Sequence, residues 1–353
     1  MSVKDRLVFH RKIRNLHSRV IRAREQGVPP EIKIEITSSC NMGCPFCYNK
    51  NTFAKEKRGT NGLSLEKLYR VIDKIADESI PIVRFTGGEP SIHKDFLEVV
   101  RYAKEKKLYV KLNTNATLMT KENIDAVKNH VDEVLVSFHD YYKSEPKEII
   151  KKKVEGIKAL RSAGVLVFLN TVLTKNNISR MQWFLDKAEE FDCKHFFAFP
   201  VPTDKMPEPV SHDDIKKVIE WMLEAKKKGI DVHLAQAIAF CSYEPDKIAM
   251  LNEGVHCGMH DNLVVDPSGK IKMCYSLPEP IGDVETMSFL DAWNSETVKG
   301  VRELRLLPKP CRECKYMREC LGGCRFAAYL ATGNLCDMDP LAQPEKYKKY
   351  LFK

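Results

Sequence analysis

The sequence predicts an α/β protein: a partial (β/α)6 TIM-like barrel followed by a C-terminal cysteine-rich domain. Three observations predict it. Strand-like runs alternate with helix-periodic runs through the middle of the chain, and unusual polar residues stand at the carboxyl ends of successive strands. From residue 257 onward, cysteines recur at metal-ligand spacings.

The first 30 residues carry Lys4, Arg6, Arg11, Lys12, Arg14, Arg19, Arg22 and Arg24 against only Asp5 and Glu25. Phe9, Ile13, Leu16 and Val20 recur there at helical spacing, which predicts an amphipathic helix packed on the body with a solvated basic face. This is the one concentrated patch in a chain of net charge +9, so nucleic acid is not expected as a partner. Strands follow at 32–36, 81–85 ("PIVRF"), 109–113 ("YVKLN"), 132–137 ("DEVLVS"), 165–171 ("VLVFLNT") and 194–199 ("KHFFAF"). Helical patterns separate them; in "SLEKLYRVIDKIADE", Ser64 is the N-cap and Leu65, Leu68, Ile72 and Ile75 share a face. Six β-then-α units with short connections imply a parallel sheet with right-handed crossovers and fit an open barrel better than a closed one of eight. The expected domains are a basic N-terminal helix (1–30), the barrel (31–235), the cysteine-rich domain (236–342) and a tail (343–353).

Ligands of such a sheet sit at the carboxyl ends of its strands. The first strand ends in Cys40, Cys44 and Cys47, and the second in Thr86-Gly87-Gly88-Glu89-Pro90. The third ends in Asn113-Thr114-Asn115-Ala116 and the fourth in Ser137-Phe138-His139, while the fifth carries Asn170 and Thr171. Each word alone is an ordinary turn; their placement at successive strand ends carries the weight.

Composition narrows the classes. A chain of 353 residues with 43% hydrophobic and 30% charged residues is a globular protein with room for one large and one smaller domain. Apolar runs such as "VLVFL" fall far short of the roughly 20 residues a membrane span needs, so no membrane partner is expected. No apolar secretory core opens the chain, so a cytoplasmic protein is expected, and twelve cysteines in a reducing compartment point to metal ligation.

Cys40, Cys44 and Cys47 stand at C-x3-C-x2-C spacing, an odd number of ligands for a four-iron cluster or a zinc site. Either a distant residue completes a zinc site, or one metal position is left open. With the aromatic Phe46 before the last cysteine and Gly87-Gly88-Glu89-Pro90 after the next strand, the segment 31 to about 200 resembles the radical S-adenosylmethionine superfamily. The resemblance implies that three thiolates hold three irons and that S-adenosylmethionine chelates the fourth. It assigns Gly87, Gly88 and Glu89 to the methionine ammonium, Asn115 and Ser137 to the ribose, and the backbone near Phe46 with Asn170 to the adenine. Ala116 stands where the family often has glycine.

Cys257 and Cys274 bracket "LVVDPSGKIKMC", where Asp266-Pro267-Ser268-Gly269 predicts a hairpin turn. Then come Cys311, Cys314, Cys320 and Cys324 at C-x2-C-x5-C-x3-C spacing, and Cys336. Alone, that tail also reads as a zinc ribbon. The full order, with "IGDV", "DAWNS" and "GGCRFAAYLATGN", resembles the SPASM domain, which holds two auxiliary four-iron clusters. The resemblance implies three [4Fe-4S] clusters in all. It gives Cys257, Cys274 and Cys324 to the inner auxiliary cluster and Cys311, Cys314, Cys320 and Cys336 to the outer one. The inner cluster then lacks a fourth ligand, for which Cys241, His256, His260 and an open iron compete. Many members of that family carry their last cysteine after an Asp-Pro pair, where this chain has Ala342; Cys336, on a loop with Gly333, Asn334 and Asp337, is expected to turn in instead, with Asp337 or Asp339 as the oxygen alternative. Cys193, before an apolar strand, is expected to be a core residue.

The implied function is reductive cleavage of S-adenosylmethionine to a 5′-deoxyadenosyl radical that abstracts hydrogen, with electrons from a donor such as ferredoxin or flavodoxin. The expected substrate is a peptide or protein side chain. The alternative is a small molecule such as a tetrapyrrole side chain, in a decarboxylase or oxidoreductase reaction. Thirty residues before the barrel are too few for a fused leader-peptide domain, so a separate leader-binding partner is expected for a peptide substrate. Sulfatase maturases place an aspartate after the second auxiliary cysteine, whereas Tyr275 follows Cys274 here, which speaks against a serine or cysteine dehydrogenase. A non-enzymatic cluster carrier or zinc scaffold would have no need of Glu89 in its glycine turn.

Overall fold

A computed structural model describes residues 3–49, 62–139, 147–200, 210–252 and 257–352, with side chains from residue 14 onward. The chain divides into two compact units, the first Met1–Phe138, Pro146–Phe168 and Asp261–Val298, the second His139–Glu145, Leu169–His260 and Lys299–Lys353. The segment expected as one cysteine-rich domain is thus shared between them.

The first unit begins with helix α1 (Val3–Gln26). Leu16 and Val20 are half-buried and Ala23 is buried, while Arg14 and Arg22 face solvent, as an amphipathic helix requires. Phe9 and Ile13 lie outside the described side chains. Strands β1 (Glu31–Thr37), β2 (Ile82–Gly87), β3 (Tyr109–Thr114) and β4 (Glu133–Ser137) pair in parallel order. Between them run α2 (Leu65–Asp77), α3 (Phe96–Glu105) and α4 (Lys121–His130). The Ser64 hydroxyl accepts from the Lys67 N–H and caps α2, which buries Leu68, Val71, Ile72 and Ile75. Helix α5 (Lys147–Ser162) follows β4.

Further strands complete each unit. β5 (Val167–Val172), β6 (His195–Ala198) and β7 (Val232–Leu234) are parallel neighbours, β7 being a seventh strand that its three-residue length hides from pattern reading. Helices α6 (Met181–Glu190) and α7 (His212–Lys227) link them. In the first unit, β8 (Asn262–Val265) pairs parallel to β1, and β9 (Lys270–Lys272) folds back on it as the expected hairpin. Gly269 has φ +94° in that turn, and the Asp266 carboxylate accepts from the N–H groups of Ser268 and Lys270. β10 (Gly282–Asp283) pairs with β9. The sheet is largely parallel and does not close, as expected of a partial barrel.

Alternation along β1 separates two faces. Ile32, Ile34 and Ile36 are fully buried, while Glu31, Lys33 and Glu35 point the other way. Register aligns Lys33 with Arg84, Arg84 with Lys111 and Lys111 with Glu133, so a row of charge crosses four strands. Among the described residues no helix is long and apolar enough to cross a membrane.

Candidate functional site

β1 ends at Thr37, and the chain leaves the sheet in the short loop that carries Cys40, Cys44 and Cys47. The Ser39 N–H donates to Thr37 Oγ1 (3.1 Å), the Met42 N–H to Cys40 Sγ (3.4 Å), and the Cys47 N–H closes a turn on the Cys44 carbonyl (3.2 Å). Cys44, Cys47 and Glu89 all lie within electrostatic reach of Cys40.

Gly87 and Gly88 have a task that precedes any ligand. The Gly88 N–H donates to the Thr37 carbonyl (2.7 Å) and the Glu89 N–H to the Ser39 carbonyl (2.8 Å). A Cβ on Gly87 would lie 2.3 Å from Thr37 O, and one on Gly88 2.0 Å from Ser39 O, so only glycine lets the two backbones touch. Gly87 also has φ +127°. The glycine turn therefore fixes the root of the cysteine loop.

Glu89 is 1% exposed. Its Oε1 accepts from the Ser91 N–H (3.2 Å), Ser91 Oγ (2.6 Å) and Thr114 Oγ1 (2.7 Å), and its Oε2 from the Asn115 N–H (2.7 Å). Burial pushes its carboxyl pKa up, and these hydrogen bonds oppose the rise. The side chain thus ties the end of β2 to the end of β3. Asn115 continues the chain of contacts: its Nδ2 donates to Asn41 Oδ1 (2.9 Å), while Asn41 Nδ2 donates to Thr117 Oγ1 (2.9 Å). Asn41 lies inside the cysteine loop, and no spacing rule singles it out. Ala116 adopts φ +57°, a left-handed conformation that costs a residue with a Cβ and that glycine would adopt freely. Its carbonyl packs on Gly156 of α5, where a Cβ would approach to 2.1 Å.

Asn49 is a second residue that sequence reasoning passes over. Its Nδ2 donates to the Gly87 carbonyl (2.9 Å), and its Oδ1 is buried with no hydrogen-bond partner among the described residues. Phe46 is half-buried beside Cys47, and Ser137 is half-buried at the end of β4. Asn170 is half-buried on β5, in the second unit.

On the polar face of the first unit, most of the charges among the described residues are paired with one another. Arg84 reaches Glu31 (2.7 Å) and Glu133 (3.7 Å), and Lys111 reaches Glu31 (3.3 Å) and Glu133 (3.4 Å). Lys272 pairs with Asp266 (3.4 Å), and Lys33 lies over the Tyr275 ring at 5.1 Å. Tyr275 packs on Tyr48 (5.1 Å between centroids), whose hydroxyl donates to Glu35 Oε1 (2.9 Å). Burial pushes the Glu35 carboxyl up to about 8.

In the second unit, Cys241, Cys311, Cys314 and Cys320 line one pocket with Ala342 and apolar side chains such as Phe240. Cys336 is not among its lining residues. Cys257 and Cys324 belong to the second unit and Cys274 to the first. His256 lies outside the described residues. Cys193 is buried, as expected of a core residue, with its Sγ 3.3 Å from the Phe191 carbonyl. No three His, Cys, Asp or Glu side chains among the described residues gather as ligands of a single metal ion. A cuboidal cluster takes each thiolate on a separate iron and so holds its ligands apart. Three thiols on one short loop fit a cluster with an open iron, and four thiols around an apolar pocket fit a fully ligated one.

The family model "Radical SAM superfamily" matches residues 34–188, and that of an "Iron-sulfur cluster-binding domain", SPASM, matches residues 257–315. An AdoMet-dependent heme synthase of Methanosarcina barkeri is 26% identical over 89% of this chain and 96% of its own. A PqqA peptide cyclase of Bradyrhizobium diazoefficiens is 24% identical over 93% of this chain and 89% of its own. Among solved structures, Streptococcus suis SuiB bound to S-adenosylmethionine superposes with a TM-score of 0.71 at 17% identity, covering 94% of this chain and 81% of that one.

Proposed function

The chain belongs to the radical SAM superfamily and carries a SPASM domain, and from that premise we propose that it modifies a peptide or protein side chain by hydrogen abstraction. When bound, its clusters and S-adenosylmethionine supply one-electron cleavage to a 5′-deoxyadenosyl radical. We assign one four-iron cluster to Cys40, Cys44 and Cys47 and two more to the later cysteines. The chain's own part begins with positioning: Gly87 and Gly88 seat the cysteine loop, Glu89 and Asn115 lock it to the next strand, and the Asn49 oxygen offers an acceptor. At neutral pH, Glu35 holds a proton on its carboxyl beside Tyr48.

The observation that carries the substrate class is the pairing of the polar face. A tetrapyrrole presents carboxylates that call for uncommitted cations. Arg84 and Lys111 are instead committed to Glu31 and Glu133, and Lys272 to Asp266. Lys33, which packs on the Tyr275 ring, is the exception; a face so largely paired suits a peptide, and the likeness to peptide cyclases over nearly the whole chain supports that reading. The equally extensive likeness to heme synthases favours a second reading, in which a tetrapyrrole side chain is the substrate.

The test is anaerobic incubation of reduced enzyme with S-adenosylmethionine and one of two substrate sets. One set is peptides deuterated at side-chain carbons, and the other is tetrapyrroles deuterated in their propionates. Deuterium in 5′-deoxyadenosine is expected from the peptides; its appearance from the tetrapyrroles alone would overturn the peptide reading.

A further inference from the structure

The resemblance to the SPASM domain puts a last cysteine where this chain has Ala342, so the outer cluster needs a fourth ligand from elsewhere. The expectation that Cys336 swings in requires a loop free to turn. The structure holds that loop. Arg325, 1% exposed, donates Nη1 to the carbonyls of Leu335 (3.0 Å) and Asp337 (2.7 Å), and its Nη2 hydrogen-bonds the Gly322 carbonyl. The Cys336 N–H is itself engaged by Asn334 Oδ1 (2.9 Å). The oxygen alternatives are also occupied. Asp339 Oδ2 accepts from the Cys324 N–H (2.7 Å) and its Oδ1 from the Leu341 N–H (2.8 Å), while Asp337 Oδ1 takes the Asn334 amide (3.3 Å).

Cys241 is placed differently. It sits in the turn Phe240–Ser242, buried, on the wall of the pocket that Cys311, Cys314 and Cys320 also line. Its carbonyl accepts from the Gln343 N–H (3.1 Å), which pins it beside Ala342, another lining residue of the same pocket. The turn also serves a neighbouring thiol: the Phe240 N–H donates to Cys320 Sγ (3.3 Å), and the Tyr316 N–H donates to Cys314 Sγ (3.4 Å). N–H groups aimed at sulfur are how a protein stabilises cluster thiolates. The remaining wall is apolar, including Met338, whose Sδ lies 4.0 Å from Cys311 Sγ.

We propose that Cys241 supplies the fourth thiolate of the outer auxiliary cluster, with Cys311, Cys314 and Cys320, and that Cys336 is not a ligand. The ligand arrives from upstream in sequence and takes the place that Ala342 leaves empty. This rests on membership of the SPASM family and is independent of the substrate.

The test uses full-length protein reconstituted anaerobically with 57Fe and read by iron and sulfide content and Mössbauer spectroscopy. Cys241→Ala should lose about four of about twelve irons, and Cys336→Ala should keep them all. Adding Ala342→Cys to Cys241→Ala should restore the lost iron. Cys241→Ser, which keeps a ligating atom and guards against misfolding, should retain iron with one altered site. Full iron and an unchanged spectrum in Cys241→Ala or Cys241→Ser, or loss of the outer cluster in Cys336→Ala, would overturn the assignment.

Discussion

Substituting Gly88 by alanine tests whether the glycine turn builds the cysteine loop. The new Cβ would stand 2.0 Å from Ser39 O, 2.5 Å from Ser39 C and 2.9 Å from Ser38 O, all backbone atoms that cannot rotate aside. Relieving such overlap means moving the loop by more than an ångström, which breaks the hydrogen bonds from Gly88 and Glu89 to Thr37 and Ser39. Overpacking costs about 1–3 kcal/mol, and each broken hydrogen bond about 0.5–1.5 kcal/mol. Ser39 precedes Cys40, so the displacement falls on the first thiolate. After anaerobic reconstitution, Gly88→Ala should therefore lack about four irons per chain while the later cysteines, from Cys241 onward, keep theirs. Gly43→Ala, in the same loop with nothing among the described residues within 4 Å of its Cβ, is the control and should bind iron normally. Full iron content with undiminished S-adenosylmethionine cleavage in Gly88→Ala would refute the reasoning.

Other expectations follow from the same geometry. Glu89→Ala removes an acceptor from buried donors on Thr114 and Asn115 and a part-buried one on Ser91; at about 1–3 kcal/mol per orphaned buried group it should lower the melting temperature and weaken S-adenosylmethionine binding by calorimetry, with iron retained. Glu35 titrates near 8 in the folded protein against 4.5 ordinarily, so the folded state binds its proton more tightly. That contribution to stability is complete below about pH 4.5 and is lost as pH rises through about 8. At about 1.4 kcal/mol per unit, Glu35→Gln should melt several degrees above the parent at pH 9 and gain nothing at pH 5; equal melting temperatures at both would count against it. Ala116→Gly removes a left-handed penalty of about 1–2 kcal/mol at an entropic cost of about 0.5–1 kcal/mol, so denaturant unfolding should show unchanged or slightly higher stability.

The parts of this fold that were legible from sequence are those written in periodicity. The first six strands fall within a residue or two of their expected bounds because alternation such as Ile32, Ile34 and Ile36 against Glu31, Lys33 and Glu35 has one structural meaning. β7 escaped because three residues carry no period, and the parallel pairing of β8 with β1 because pairing across more than 200 residues leaves no local trace. At the site, the cysteine spacing and the glycine turn were readable as motifs. That Gly87 and Gly88 pack on backbone, or that Asn41 and Asn49 brace the loop, depends on which atoms meet after folding. Cys241 shows the limit most clearly: the sequence offered it to the inner cluster beside Cys257, whereas Cys311, Cys314 and Cys320, with which it shares a pocket, lie some seventy residues downstream, and only the folded turn brings it to them.

Cys40, Cys44 and Cys47 are proposed to hold the cluster at which S-adenosylmethionine is cleaved. Reduced wild-type protein should form 5′-deoxyadenosine. The variant with all three changed to alanine should form none, while its iron falls from about twelve to about eight per chain. Undiminished 5′-deoxyadenosine from the triple variant would contradict the account.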